Sequence, residues 1–509
     1  MRAVKVLIVG AGPCGLGVAT EMLESGPGGE NDFLLVDQAS KAGGWASSQT
    51  TPEGFTFDFG GHVLFPHKHY ARFAEMLAKL PVQWAASVPK RGVQVNGCFL
   101  PYPAQRNLHR LPLMQLVRTL WSAAGASRRK SGDAAGGDTE GSLGGYLKGH
   151  FGEYLTSLLM APLNRKQWAH APDRLTDVWV KHRSGSATRN VADMDVRRTL
   201  ANLLRGRDDL GWTPETRVIY PAQGGSGAIW SAVADAIPQE KLLLDVRILS
   251  ISLRRKTALL SNGETVAWES MVSTMPLDTL LRSLEGEPEL AAKASRFVRA
   301  RSRLFGFGVR GAIPKRYAGL HSCQVTDETV PFWRLNFPMT VSQGNGPEDC
   351  FSLLCEMSES ASRPAEAAEE LRLRVEESLH RMGLLNHPGQ ELVSRWEYTI
   401  EHGYPVPFLG RDALLQEVQP LLEEAGLYSR GRFGTWRYEI SNQDHAYMQG
   451  YEAARRILFD LPEETYANAV AVNEAATPEA RHTPLPKKEP SREGRDVRDV
   501  SVPHAVGSL

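Results

Sequence analysis

"VKVLIVGAGPCGLGVATEML", Val4 to Leu23, decides the fold. Val4, Val6, Leu7, Ile8 and Val9 make a near-continuous apolar run, the pattern of a strand buried on both faces. Gly10, Gly12 and Gly15 follow in G-x-G-x-x-G, and Leu16, Ala19, Met22 and Leu23 then recur with helical spacing. In such a unit Gly10 permits the tight turn, Gly12 lets the backbone approach a pyrophosphate, and Gly15 lets helix and strand pack closely. The helix N-terminus faces the phosphates, so Pro13 and Cys14 count with the glycines as candidate cofactor contacts. A second strand, "FLLVDQ", brings Asp37 and Gln38 about 20 residues further on, where an acid can hold ribose hydroxyls. Strand, glycine turn, helix and acid together predict a dinucleotide-binding α/β unit. A merely structural loop is the blander alternative.

The next turn bears on which dinucleotide. "KAGGWASS" pairs Gly43 with Gly44 before Trp45, Ala46 and Ser47. FAD enzymes of the glutathione-reductase type place a second glycine turn against the flavin end of the cofactor, so Gly44, Trp45, Ala46 and Ser47 join the candidate contacts. An ordinary β-turn reads the same from these residues alone. Amine-oxidase relatives carry Arg after the two glycines, whereas this chain has Trp45.

The rest of the chain sets limits. At 509 residues it is too long for one compact domain. Its 58 basic and 58 acidic residues cancel, so no net field points to nucleic acid or an anionic membrane, and Arg128, Arg129 and Lys130 read as a solvated loop. The five cysteines are scattered without a C-x-x-C pair, which argues for a reducing compartment and against disulfides or a metal site. The first apolar run ends in glycine too early for a signal peptide or membrane span, and a cytoplasmic protein is expected. Leu111 to Leu204 is mostly helical in pattern, interrupted by a loop at "GASRRKSGDAAGGDTEGS", Gly125 to Ser142. "RLFGFGVRG" and "FSLLCEMSES" alternate as strands do. From about Pro462 the composition is that of a disordered tail. The expected organisation is an FAD-binding domain from 1–80, 206–290 and 400–460, a helical substrate lobe at 105–205, an antiparallel sheet lobe from 81–104 and 291–399, and a tail at 461–509.

More specific motifs follow: "TPEGFTFDFGGHVLF", "FLPYPAQRN", "EHGYPVP" and "LYSRGRFGTWRYEISNQDHAYMQG". With these the chain resembles UDP-galactopyranose mutase of the eukaryotic type, from Val6 to about Leu458. The resemblance implies a three-lobed α/β flavoprotein: a Rossmann-like FAD-binding core of the glutathione-reductase type with a helical lobe and an antiparallel β-sheet lobe inserted. It implies interconversion of UDP-galactopyranose and UDP-galactofuranose with no net redox change, by attack of the reduced flavin's N5 on C1 to form a sugar adduct. NADPH or NADH is the implied activating reductant, and a homo-oligomer is possible within the family.

The same resemblance distributes roles. His62 with Gly61 lies beneath the isoalloxazine; Arg432, Asn442 and Gln443 contact FAD, and the helix opening at "SNQDH" caps the flavin. Arg183 and Arg334 clamp the substrate diphosphate, Tyr404 and Tyr438 donate to it, and Tyr102 and Gln105 receive the uracil. His62, Arg183, Arg334 and Asn442 form the expected catalytic set, with no metal. Read from the residues alone, His62 is more often a buried structural group, while a core residue for each tyrosine and the N-cap of a surface helix for "SNQD" are the blander alternatives. Three departures fall on the substrate side: Glu215 in "WTPE" for an asparagine, Gln324 for a tyrosine, and Arg106 for an asparagine. An FAD oxidase of the amine-oxidase group shares the glycine fingerprint but needs no diphosphate clamp. A flavoprotein that has lost its substrate site is the third alternative.

Overall fold

The computed structural model describes residues 1–25, 32–64, 70–130, 141–182, 196–210, 212, 217–385 and 388–474. The strand Arg2–Val9 is buried without break from Val6 to Val9, because both its faces are covered. It runs parallel between Phe33–Val36 and Thr265–Ser273. The full sheet reads Ile248–Ser252, Thr257–Leu260, Thr265–Ser273, Arg2–Val9, Phe33–Val36, Leu242–Leu243. Leu427–Ser429 adds in parallel beside Met271–Ser273. One sheet therefore draws strands from three distant stretches of chain, and the last delivers the segment Arg430–Gly450 to the first glycine turn.

Helix Gln443–Phe459 lies across the first helix, Pro13–Glu24. Glycine makes the crossing possible. A Cβ on Gly450 would sit 1.8 Å from the Cys14 carbonyl oxygen, and one on Gly17 would sit 2.3 Å from that of Tyr447. No side chain fits at either contact.

The second large sheet runs Glu391–Pro405, Arg299–Arg310, Cys350–Glu359, Arg334–Asn336, Ser322–Val325, Arg91–Val95, Cys98–Pro101. Its neighbours are antiparallel except Ser322–Val325 with Arg91–Val95, which are parallel. The lobe is thus mixed, not wholly antiparallel, because the strand leaving the first domain joins its far edge and the chain returns only after the helical region. Phe305 and Phe307 point to one face, against helix Ala368–Arg381. On the other, Gly306 and Gly308 leave room for the rings of Phe57 and Phe55, where a Cβ would come within 2.9 and 2.4 Å. Phe57 stacks in turn on Trp396 at 5.2 Å, and this apolar contact seats the sheet on the nucleotide domain.

Three more expectations need correction. Trp84–Ser87 lies outside the large sheet and pairs with Val218–Pro221 as a separate ribbon. The loop expected from Gly125 begins later, since helix Leu113–Lys130 carries the chain through Gly125 and Arg128 to Lys130; Ser142 caps the next helix by accepting from Gly145 N–H. Residues 131–140 lie outside the described set.

The chain also does not become a tail at 461. Glu464–Ala467 and Ala469–Glu474 are helical, and Thr465, Ala469 and Val472 are buried. Composition misled here because the segment's order comes from partners elsewhere: Arg430 is fully buried and donates twice to Glu463, at 2.5 and 2.7 Å. Residues 475–509 are not among those described.

Candidate functional site

Two glycine turns face each other in front of the first helix. Gly10 has φ 103°, and Gly12 is the helix N-cap, with no side chain bonded across the end. A Cβ on Gly12 would meet only Gly44 Cα, at 3.8 Å, so the front of the turn is open. Gly44 has φ 53° and approaches Gly12 so closely that its own Cβ would lie 3.2 Å from Gly12 Cα. Gly43 N–H donates to the Ala11 carbonyl at 2.7 Å and ties the turns together. Pro13 occupies the first turn of the helix, and Gly15 packs on the Gly10 carbonyl, where a Cβ would come within 1.8 Å.

Asp37 does more than an exposed ribose acid would. It accepts from Ala11 N–H at 2.6 Å and Ala39 N–H at 2.7 Å, bracing the glycine turn from the next strand. Burial raises its pKa while these two bonds oppose the rise. Gln38 beside it is exposed. The Cys14 side chain is buried against Gly431, so among its groups the backbone, not the thiol, faces the turn; burial pushes that thiol far up. Ala46 O accepts from Ser226 Oγ at 2.8 Å, and Ser47 Oγ donates to Ala42 O at 3.2 Å, so both serve the second turn's own structure. Trp45 is exposed.

Below the second turn lies "FDFGGH". Buried Asp58 accepts from Ser48 Oγ (2.6 Å), Tyr220 Oη (2.7 Å) and Ser226 N–H (2.9 Å) and locks this loop to the "PAQGGSG" turn. His62 Nε2 is 3.0 Å from the Trp45 carbonyl oxygen. That oxygen can only accept, so the ring holds its proton on Nε2. Burial lowers the His62 pKa; Asp58 and Glu356 oppose this, and Arg334 and Arg432 add to it. These charged groups, from four separate stretches of sequence, meet around one histidine.

Arg334 stands opposite Glu356 in the sheet and bonds it through both arms of its fork, Nε to Oε1 at 2.9 Å and Nη2 to Oε2 at 2.6 Å. Asn336 Nδ2 adds a bond to Glu356 Oε1 at 2.5 Å. The guanidinium lies over the Trp333 ring at 4.6 Å and against Gly61, where a Cβ would sit 3.2 Å from Arg334 Cζ. Nη1 makes no hydrogen bond among the described residues. Burial works against the charge of Arg334, but Glu356 outweighs it and holds the pKa well above the usual value.

An aromatic wall rises beside these groups. Trp168 meets Tyr438 at 4.8 Å and Tyr404 at 5.6 Å, edge to face, and Trp179 meets Tyr438 at 5.5 Å. Arg432 lies over both tyrosine rings, 5.1 and 5.5 Å away, while donating to Ser441 Oγ at 2.9 Å and Gly403 O at 3.1 Å. Burial raises the Tyr404 pKa far out of the neutral range, so it remains a donor. Tyr102 packs on the edge of the same apolar cluster and stacks with Arg91 at 5.0 Å. Gln105 is buried beside it, and its Nε2 has no hydrogen-bond partner among the described residues.

The long helix opens at this place. Asn442 occupies its N-cap position, exposed, without a side-chain bond across the end. Gln443 Oε1 accepts from Trp230 Nε1 at 2.6 Å. Of the residues singled out from sequence, Arg183 and Glu215 lie outside the described set. Gln324 is described, and pairs directly with Arg334.

Glu356, Asp58, Trp168 and Trp179 were missed. Glu356 sits mid-strand in "FSLLCEMSES" and Asp58 between two phenylalanines, and an acid in an apolar strand needs a buried partner. That signal was readable. Nothing in the sequence marked the two tryptophans.

Residues 8–80 match the model of an NAD(P)-binding Rossmann-like domain. A solved structure of reduced UDP-galactopyranose mutase superposes with a TM-score of 0.85 at 35% identity, over 93% of this chain and 98% of that one. The chain belongs to the UDP-galactopyranose mutase family. A putative protoporphyrinogen oxidase from Exiguobacterium sp. 255-15 shares the fold at 15% identity and TM-score 0.67, over 90% of this chain and 99% of that one. Cyclohexylamine oxidase from Brevibacterium oxydans shares it at 17% and 0.60, with the same coverage. Those two likenesses carry the fold alone. The mutase family is a family of flavoprotein fold, and the mixed α/β architecture found here is that fold.

Proposed function

We propose that the protein is an FAD-dependent nucleotide-sugar mutase that interconverts UDP-galactopyranose and UDP-galactofuranose without net redox change, its flavin working in the reduced state. The observation that carries this reading is Arg334: a guanidinium fixed by Glu356, with Nη1 unbonded, beside the glycine turns and the aromatic wall. An oxidase of small amines has no use for a fixed cation at that place, whereas a diphosphate does.

The residues fit FAD. The open face of Gly12 and the uncapped helix behind it would hold the pyrophosphate, with Asp37 at the adenosine ribose, and Gly44 to Ser47 would line the way to the flavin. His62, Arg432, Asn442 and Gln443 would surround its ring, and the N-terminus of helix Gln443–Phe459 would stabilise negative charge there. When bound and reduced, FAD supplies a nucleophilic nitrogen, N5, towards the sugar's anomeric carbon. The protein's part is orientation and charge. Arg334 and Arg183 would bind the diphosphate that leaves C1, Tyr404 and Tyr438 would donate to it, and Tyr102 and the unpartnered Gln105 amide would receive the uracil. NADPH or NADH would serve as reductant. Five unpaired cysteines support a cytoplasmic setting; among the described residues no helix is long and apolar enough to cross a membrane.

Gln324 favours a variant of this reading. It is the cross-strand neighbour of Arg334, where the family resemblance expects a tyrosine, so a related nucleotide sugar is the second candidate. Reduced enzyme incubated with a panel of UDP-sugars, the products separated by chromatography, tests both. Conversion of UDP-galactose alone supports the first, conversion of another sugar the second, and conversion of none rejects the mutase.

A further inference from the structure

Helix Gly227–Asp235 touches two of the elements placed around the proposed flavin. Its start is tied to the second glycine turn: Ser226 Oγ donates to the Ala46 carbonyl and Gly227 N–H to Ser48 Oγ, each at 2.8 Å. One turn on, Trp230 packs against the same glycine turn, where a Cβ on Gly43 would sit 3.3 Å from Trp230 Cβ. The indole is fully buried beside Phe73 and Tyr447. Its Nε1 donates to Gln443 Oε1 at 2.6 Å and so reaches the first residue of helix Gln443–Phe459. One side chain thus joins the second turn to the opening of the long helix.

The bond settles which way round the Gln443 amide lies. An indole N–H can only donate, so the amide oxygen faces Trp230 and the NH2 group is turned from it. Gln443 is half-buried, and its Nε2 makes no hydrogen bond among the described residues. The end left over is therefore a donor, at a helix N-terminus that is itself the positive end of a dipole. Amide oxygen and nitrogen are nearly equal in size, so sterics alone would not tell them apart at this place. The indole N–H does.

We infer that Trp230 is a positioning residue for the flavin: through Gln443 it holds an amide donor, rather than an acceptor, towards the pyrimidine end of the reduced ring. The inference rests on the proposed FAD site and adds to it a residue that touches neither cofactor nor substrate. Reduced flavin carries negative charge at that end, and a donor stabilises the anion more than the neutral oxidised ring. Trp230 therefore raises the potential of the bound flavin and favours the state that the proposed mutase reaction uses.

The midpoint potential of the bound FAD, measured anaerobically in the full-length protein against a reference dye, tests this. Gln443→Glu keeps an oxygen for Trp230 but puts a second oxygen where the donor stood. It should lower the preference for the reduced form about tenfold, which is about 30 mV on a two-electron couple. Trp230→Phe frees the amide to turn over, and should move the potential the same way by a smaller amount.

Should Trp230→Phe fail to fold, a benzothiophene isostere of the indole at position 230, alike in shape but without the N–H, takes its place. An unchanged potential in the position-230 variant would overturn the inference, whatever its melting temperature, because the bond would then serve only to satisfy the indole. So would an unchanged potential in Gln443→Glu, because the amide would then not face the ring. A parent protein without flavin absorbance, even after incubation with FAD, would reject the FAD reading itself and the inference with it.

Discussion

Arg334 is aimed by what holds it. Glu356 takes two of its nitrogens and Asn336 shares the same carboxylate, while the guanidinium carbon lies against Gly61 and Nη1 makes no hydrogen bond among the described residues. Arg334→Ala should weaken UDP binding by about tenfold to a hundredfold, the loss of roughly 1.5–3 kcal/mol from one charge-assisted contact. The FAD content of the purified protein, read from its absorbance, should not change. Arg334→Lys should fall between parent and Ala, since an ammonium keeps the charge but cannot fork to Glu356 and phosphate together. Equal UDP affinity in all three proteins would remove Arg334 from the clamp.

A different residue governs acid stability. His321 is buried between Arg91 and Lys90; burial first, and then these two cations, hold its pKa down to about 4. In the unfolded chain it titrates near 6.5, so between these values the unfolded state binds the proton more. Its contribution to stability is full above pH 6.5 and is lost as pH falls towards 4, roughly 3 kcal/mol at the order of magnitude. His62 and His170 are depressed too and share the sign. The difference between parent and His321→Gln in denaturant midpoint, followed from pH 7 to 4.5, isolates the one residue: the gap should close as pH falls.

Among the elements, the crossing of helices Pro13–Glu24 and Gln443–Phe459 is the joint on which the proposed cofactor site depends. Gly450→Ala puts a methyl group into the Cys14 carbonyl, which belongs to the helix turn behind Gly12. Backbone cannot yield there as a side chain would, so the helices must part, at a cost of about 1–3 kcal/mol. The variant should lose bound flavin on gel filtration while the far-ultraviolet circular dichroism stays nearly the same. The segment after Pro462 is a second joint. Glu463→Ala takes one of two carboxylates from the fully buried Arg430 and leaves it Glu423 at 2.7 Å, so the loss should fall below the about 3–5 kcal/mol of a fully broken buried pair; the melting temperature should still fall. A truncation at 461 that melts like the parent would show the segment to be dispensable.

These elements also show what a single sequence discloses. The strand, turn and helix of Val4–Leu23 were legible because local chemistry sets them: β-branched residues, a positive φ at Gly10, helical spacing beyond. Motif resemblance supplied the mutase family, which the superposed mutase structure shows. Long-range uses of a residue were not legible. Asp37 has an expected ribose to hold, yet its carboxylate already takes two backbone N–H groups. Nothing near Trp84 says that it pairs with Pro221, more than a hundred residues on, and nothing near Glu463 says that Arg430 waits for it. Polar composition after Pro462 was read without those partners, and order was missed.

In the molecule as a whole, the sheet lobe brings Arg334 against Gly61 and Tyr404 against Trp168 of the helical lobe, and Arg432 ties this aromatic wall to Ser441, just before helix Gln443–Phe459. Such a convergence suits a substrate with a nucleotide at one end and a sugar at the other, held while one bond at the sugar is broken and remade. The decisive measurement is anaerobic turnover with UDP-galactopyranose, counting UDP-galactofuranose formed against reducing equivalents consumed. The account predicts an inactive oxidised enzyme, activation by dithionite or NADPH, and then many products per flavin with no further reductant used. Activity in the oxidised state, or one acceptor molecule consumed per product, would contradict it.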